Sequence, residues 1–139
     1  MSSEIAEVEA IKKLKARYFR LLDTKEWDVW ADLFTDDATL RWADGPDDIA
    51  RGRSAIVEQV RRALADAVTV HHGHMPEIEL IDHKNATGIW SMSDYVETPS
   101  RAFRGYGHYE ERYEKGTDGN WRIKALRLTR LRVDRIASQ

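Results

Sequence analysis

The sequence predicts an α+β fold, with three N-terminal helices packed on one face of a curved, mainly antiparallel sheet. Three observations predict it. Apolar residues recur at helical spacing through the first half of the chain. From residue 67 onward the period changes to two. Asp118-Gly119-Asn120, between two long alternating runs, has the composition of a tight hairpin turn. Helices first and a strand meander afterwards is the order of an α+β domain. A chain of 139 residues suits one domain over 1–139, and no linker, repeat or low-complexity run divides it.

Residues 4–22 read as an amphipathic helix. Ile5, Val8, Ile11, Leu14, Tyr18 and Leu22 recur on one side, while Lys12, Lys13, Lys15 and Arg17 are assigned mostly elsewhere. Asp23-Thr24-Lys25-Glu26 has the form of a capping box, a carboxylate followed three residues later by Glu. A second helix is therefore expected over 25–34, carrying Trp27, Trp30, Leu33 and Phe34. Thr35-Asp36-Asp37 is expected to break it. Residues 38–42 form a short strand candidate, and residues 43–48, which include Gly45-Pro46, read as a loop. Arg53-Ser54 introduces a third helix over 54–66, with Ile56, Val57, Val60 and Leu64 as its stripe. Strands are expected over 68–81, interrupted near Gly73 and Pro76, and then over 86–96, 102–115 and 121–134.

Composition removes several function classes. Hydrophobic residues are 42% of the chain and charged residues 33%, and the net charge is −2. Nothing in that balance draws the chain to nucleic acid or to an anionic membrane. The absence of cysteine rules out disulfides, thiolate metal sites and a Cys nucleophile, and it fits a cytoplasmic protein. No apolar signal core or run of membrane-spanning length is present. Gly-rich phosphate loops, His-Glu-x-x-His and a serine elbow are missing, so no cofactor is expected. What remains is acid–base work by His, Asp and Tyr, with electrostatic help from Arg.

Three of the five histidines fall in His71-His72-Gly73-His74, just before Met75-Pro76. On a strand, His71 and Gly73 share one face, and His72 and His74 the other, so at most one parity enters a given cavity. A metal site is disfavoured, because no Cys and no second histidine cluster stand at ligand spacing. The sharper reading is one catalytic imidazole held by a carboxylate. Asp23, at the end of the first helix, can cap the next helix, orient that imidazole, or do both, since a carboxylate has two oxygens. Tyr18 fits a core aromatic with its hydroxyl near a rim. Alternation puts Asp94 on the face of Trp90, Met92 and Val96. There it either reaches water at the strand end or is a carboxyl perturbed by burial. Arg130 shares the parity of Leu126 and Leu128, whereas Trp121, Ile123 and Ala125 hold the opposite one. It is a solvated strand charge unless a bulge changes which parity faces inward. His108 reads as structural.

Four stretches carry a resemblance. They are Ile11-Lys12-Lys13-Leu14-Lys15-Ala16-Arg17-Tyr18-Phe19-Arg20-Leu21-Leu22-Asp23, then His71-His72-Gly73-His74-Met75-Pro76-Glu77-Ile78, Ala86-Thr87-Gly88-Ile89-Trp90 and Trp121-Arg122-Ile123-Lys124. With these the chain resembles the SnoaL-like branch of the nuclear-transport-factor-2-like superfamily, in particular the bile acid 7α-dehydratases. The resemblance implies a cone: a curved sheet wrapped around helices, with a deep pocket at the open end. It implies a catalytic set of Tyr18, Asp23, His71, Asp94 and Arg130. Asp23 and His71 also resemble the dyad of the hexachlorocyclohexane dehydrochlorinases. Scytalone dehydratase, more distant, carries a second histidine near the position of Trp90. Beyond Arg130 the chain continues only briefly, without the tail that closes the pocket in some relatives.

The expectation is a cofactor-independent lyase, removing water from a small hydrophobic cyclic, steroid-like or aromatic molecule by His/Asp acid–base catalysis. Trp42, Trp90, Met92 and Phe103 are the expected pocket walls. A proton shift like that of ketosteroid isomerase, a formaldehyde-releasing lyase of lignin-derived aromatics, and a non-catalytic binding module are the alternatives. A homo-oligomer is expected, a trimer before a dimer, with no nucleic-acid or membrane partner.

Overall fold

The computed structural model describes residues 3–137. Its elements run α1 (Glu4–Asp23), α2 (Trp27–Ala31), β1 (Phe34–Arg41), β2 (Ile49–Arg51), α3 (Arg53–Leu64), β3 (Val68–Leu80), β4 (Asn85–Glu97), β5 (Ala102–Lys115) and β6 (Trp121–Ile136). The α+β class is as the sequence predicts. Six strands form one sheet in the order β2-β1-β6-β5-β4-β3, antiparallel except where β1 lies parallel to β6. No helix among the described residues is long and apolar enough to cross a membrane.

α1 starts where Ser3 accepts the amide of Ala6 at 3.2 Å, with Glu4 and Glu7 in the first turn favouring the positive end of the helix dipole. Its other end corrects the expected capping box. Asp23 is the last helical residue, and its side chain caps nothing in α2. Instead the chain closes α1 on itself. Lys25 takes the left-handed conformation (φ 60°), its N–H donates to the Leu22 carbonyl at 3.1 Å, and that of Glu26 donates to the Leu21 carbonyl at 2.9 Å. This paired closure is usually built on glycine; a lysine in that place hides it from the sequence. Released from capping, Asp23 points to β3.

The second helix is only five residues, and Phe34 already belongs to β1. Thr35-Asp36-Asp37 therefore lies within a strand, where the register to β6 shifts between Phe34 and Thr39. β2, inside a region with no strand expected, is three residues long and pairs with β1 beyond the 43–48 loop. Pro76 ends regular pairing as expected: β3 slips against β4 between His74 and Glu77, and Met75 has φ 47°. β6 carries the bulge that its parities required. Arg112 pairs with Ala125 but Tyr113 with Ile123, so Lys124 is the extra residue. Before it Trp121 and Ile123 face inward; after it Leu126 and Leu128 do.

The core is aromatic where α1 and α2 meet the sheet. The Trp30 ring lies 4.8 Å from Phe34 and 5.6 Å from Tyr18. Phe19 stands over Gly73, where any Cβ would strike its ring. One assignment on α1 is reversed. Lys15 lies on the buried stripe, between Ile11 and Leu14 on one side and Tyr18 and Leu22 on the other, and is fully enclosed. Its Nζ meets Glu111 Oε2 at 2.5 Å, and neither side chain reaches solvent. Burial lowers the Lys15 pKa to about 8, against the opposing pull of Glu111.

A buried ion pair tolerates the loss of both charges better than the loss of one. Lys15→Met alone, which strands the Glu111 carboxylate, should lower the unfolding free energy by about 3–5 kcal/mol. Lys15→Met/Glu111→Gln should recover most of that in denaturant titrations. The sign with pH follows from linkage. Between pH 8 and 10.5 the unfolded chain holds the Lys15 proton that the folded chain sheds. Wild type should gain stability relative to the double variant across that window, and a falling difference would contradict the assignment.

Candidate active site

The site is a row across three strands. His71 on β3 faces Asp94 on β4, and Asp94 faces Gly105 on β5. Strand alternation turns all three inward. Asp23 reaches this row from the end of α1. One oxygen, Oδ1, accepts from His71 Nδ1 at 2.7 Å and from the Thr69 hydroxyl at 3.0 Å. The other accepts the backbone N–H of His71 at 2.9 Å. With Nδ1 donating to Asp23, Nε2 carries the lone pair. Nε2 looks toward Asp94 Oδ2, 4.0 Å away. The His71 side chain is only 8% exposed.

Asp94 is buried and has a polar partner. Its side chain is 2% exposed, and both oxygens accept from Arg130: Nη1 to Oδ1 at 2.9 Å and Nη2 to Oδ2 at 2.8 Å. The paired bonds hold a planar guanidinium against a planar carboxylate. Burial works against the Arg130 charge, but the bonds and charge of Asp94 outweigh it and raise the Arg130 pKa. Arg130 keeps the parity of Leu126 and Leu128, so the Lys124 bulge turns it inward too, and a second irregularity follows it. Tyr106 pairs with Arg132 and Gly107 with Arg130, which leaves Leu131 as the extra residue. Gly105 clears the space: a Cβ there would overlap both Arg130 Nη1 and Asp94 Oδ1.

These groups line one end of a cavity of about 370 Å³. Tyr18, His71, Asp94, Tyr109 and Arg130 supply its polar end. Leu22, Leu40, Val60, Leu64, Leu126 and Leu128 supply apolar walls. Gln59, Thr98 and Arg101 add polar groups to the lining. Burial holds the Tyr18 hydroxyl protonated, and Glu111, Asp23 and Asp94 push its pKa the same way.

The five residues Tyr18, Asp23, His71, Asp94 and Arg130 thus come together, with Asp23 gripping the imidazole from behind. Trp42 and Phe103 are in the wall. Trp90 and Met92 are not: they face inward but sit in the core beneath α1, 6% and 3% exposed. Trp90 donates its indole N–H to Tyr113 at 2.9 Å, so its polar edge is already engaged. Alternation gives the face of a strand residue but not how far along the strand the helices cover it. Tyr109 and the α3 residues Gln59, Val60 and Leu64 were not singled out as pocket residues from the sequence. For Tyr109 a signal existed: Phe103, Gly105, Gly107, Tyr109 and Glu111 share one strand parity, and two glycines there mark space above the sheet.

The family model described as SnoaL-like domain matches residues 3–127. Among solved structures, a protein provisionally named as a scytalone dehydratase from Novosphingobium aromaticivorans is 21% identical, with TM-score 0.86 over 97% of this chain and 91% of that one. A protein of unknown function from Mycobacterium tuberculosis is 30% identical, with TM-score 0.78 over 91% of this chain and 72% of that one. A hexachlorocyclohexane dehydrochlorinase from Novosphingobium barchaimii is 17% identical, with TM-score 0.84 over 97% of this chain and 93% of that one. The structural relatives of the fold thus include proteins named as a dehydratase and a dehydrochlorinase.

Gly105→Ala tests the role of that glycine in seating the ion pair. The added methyl should dislodge Arg130 from Asp94 and lower the unfolding free energy by about 1–3 kcal/mol in denaturant titrations, as over-packing does. Unchanged stability would mean that Arg130 is not seated across Gly105.

Proposed function

From the premise that this chain belongs to the SnoaL-like domain family, we propose that it is a cofactor-independent lyase of the dehydratase type, acting on a small hydrophobic cyclic, steroid-like or aromatic molecule. One observation carries the reading: Asp23 grips His71 from behind, at 2.7 Å, and leaves Nε2 turned to an apolar cavity. A base needs its lone pair aimed at substrate and its other nitrogen held.

In the proposed reaction, Nε2 takes a proton from carbon next to a carbonyl or aryl group. The electrons of that C–H bond become the new C=C bond, through an enolate where a carbonyl is adjacent. The C–O bond breaks, and the departing hydroxide takes a proton from the imidazolium, so one water is lost and His71 is restored. Tyr18 donates to the oxygen on which negative charge develops. Asp94 Oδ2 lies 4.0 Å from Nε2, beside the imidazolium that the transfer forms. Both Asp94 oxygens accept from Arg130, so Arg130 rather than Asp94 is the group with N–H bonds to offer the leaving oxygen.

Incubation with a panel of hydroxylated ring ketones, read by mass spectrometry for loss of water, tests the reaction class. His71→Ala should lower turnover on the order of 10²–10⁴-fold. Full turnover in His71→Ala would sink the mechanism. Exchange of the α-proton for deuterium without water loss would move the reading to an isomerase using the same base.

Self-association is the other part of the proposal. Its support is the outer face of the sheet, where Val68, Val70, Ile89 and Tyr106 are exposed. Light scattering should report a trimer, with a dimer next, and a stable monomer would refute it.

A further inference from the structure

The proposed reaction leaves one buried cation without a task. The Lys15 ammonium sits 3.7 Å from the centroid of the Tyr18 ring and 3.9 Å from that of Tyr109, clamped between two phenol faces. Both tyrosines line the cavity, and among the described residues neither hydroxyl has a hydrogen-bond partner. Glu111 holds Lys15 from below through Oε2. Its other oxygen accepts the Tyr113 hydroxyl at 2.6 Å, which in turn accepts the Trp90 indole. Every polar group of this network is satisfied without solvent. Well-packed apolar residues would serve stability as well or better, so the fold alone does not explain the pair.

A cation on a ring face draws electron density from the π system. In a phenol that withdrawal reaches the oxygen and makes the O–H a stronger donor. The need is visible in the surroundings. Burial raises the Tyr18 and Tyr109 pKa values, and Glu111 and Asp94 act in the same direction on both, with Asp23 adding to Tyr18 and Arg130 opposing at Tyr109. Both phenols therefore keep their protons, but they donate into a region where carboxylates resist new negative charge.

We propose that Lys15, fixed by Glu111, is a positioning residue that polarises Tyr18 and Tyr109 through their ring faces, and that Tyr109 is a second hydrogen-bond donor, beside Tyr18, to the oxyanion formed in the cavity. The oxyanion half rests on the lyase reading; the ring-face half does not.

3,5-Difluorotyrosine in place of Tyr18 puts a reporter on the ring that Lys15 faces, and fluorine NMR follows it. With Lys15 and Glu111 present, its resonance should shift as the ammonium loses its proton near pH 8. In Lys15→Met/Glu111→Gln that step should vanish. An equal step in the double variant, or no step with the pair intact, overturns the polarisation. If the double variant does not fold, the titration of the unaltered pair decides alone, and the absence of a step there overturns the proposal. Neither titration needs a substrate, so their outcome is separate from that of the lyase reading. On a converted substrate, Tyr109→Phe should lower kcat on the order of tenfold and leave KM within about twofold. An unchanged kcat removes Tyr109 as a donor.

Discussion

The Asp23 carboxylate is the point on which the site depends. It is the last residue of α1, and it accepts three hydrogen bonds from β3: the Thr69 hydroxyl, the His71 amide and the His71 ring. A helix end is thereby fixed to a strand by the same group that sets the imidazole. Because the backbone N–H of His71 is held as well as its ring, the strand cannot slide without breaking the ring contact. The geometry of the imidazole is thus tied to the packing of α1 on the sheet, and the stability of that packing becomes the precision of the site. The left-handed turn at Lys25 is what frees Asp23 for this work, since α1 closes on its own backbone carbonyls.

The second constraint is space above the sheet. Four glycines lie at inward positions in the strands. Gly107 abuts the β6 backbone at Thr129, and each of the others gives way to a particular side chain: Gly73 to Phe19, Gly88 to Tyr113 and Gly105 to the Arg130–Asp94 pair. Glycine weakens a strand, because it loses more conformational freedom and packs nothing. Here the loss is offset by close approach of rings and charges that a Cβ would exclude. The bulge at Lys124 serves the same end along β6, turning Leu126, Leu128 and Arg130 together toward the interior.

Much of this was legible in the sequence, for local reasons. The amphipathic periods of α1 and α3 and the alternation of β3 to β6 are properties of short windows. The two parities of β6 announced a bulge. Asp94 announced burial by its neighbours on one strand face. Less legible was whatever depends on distant partners. Lys15 was assigned to the polar side because lysine is rarely buried, although its spacing from Ile11 and Tyr18 is that of the core stripe; its partner Glu111 stands 96 residues away. Trp90 and Met92 have the right parity for the cavity, but α1 covers them. α2 is shortened because Phe34 pairs with Ile123 of β6, a tertiary contact that overrides the helical pattern. Membership in the SnoaL-like family was readable from four stretches together, 11–23, 71–78, 86–90 and 121–124; the pairing of Asp94 with Arg130 needed the fold.

The charges at and beneath the polar end of the cavity come in three matched sets: Asp23 with His71, Asp94 with Arg130, and Glu111 with Lys15. Three carboxylates thus stand with one guanidinium, one ammonium and one imidazole. In the proposed reaction the proton that Nε2 takes makes the third cation, between the Asp23 and Asp94 carboxylates. In a water-poor cavity such matching is strong, since little solvent screens it. The same carboxylates oppose the anion that the proposed reaction forms on its substrate. The groups placed to relieve it are Tyr18, Tyr109 and Arg130, with Lys15 behind the two phenols. The site is thus arranged in two halves: an acidic side that favours a protonated base, and a donor side that favours an oxyanion. A neutral substrate meets neither demand fully. The ion pair of the proposed reaction, formed when a proton leaves carbon for His71, meets both, and that difference is the form that selective stabilisation of a transition state takes.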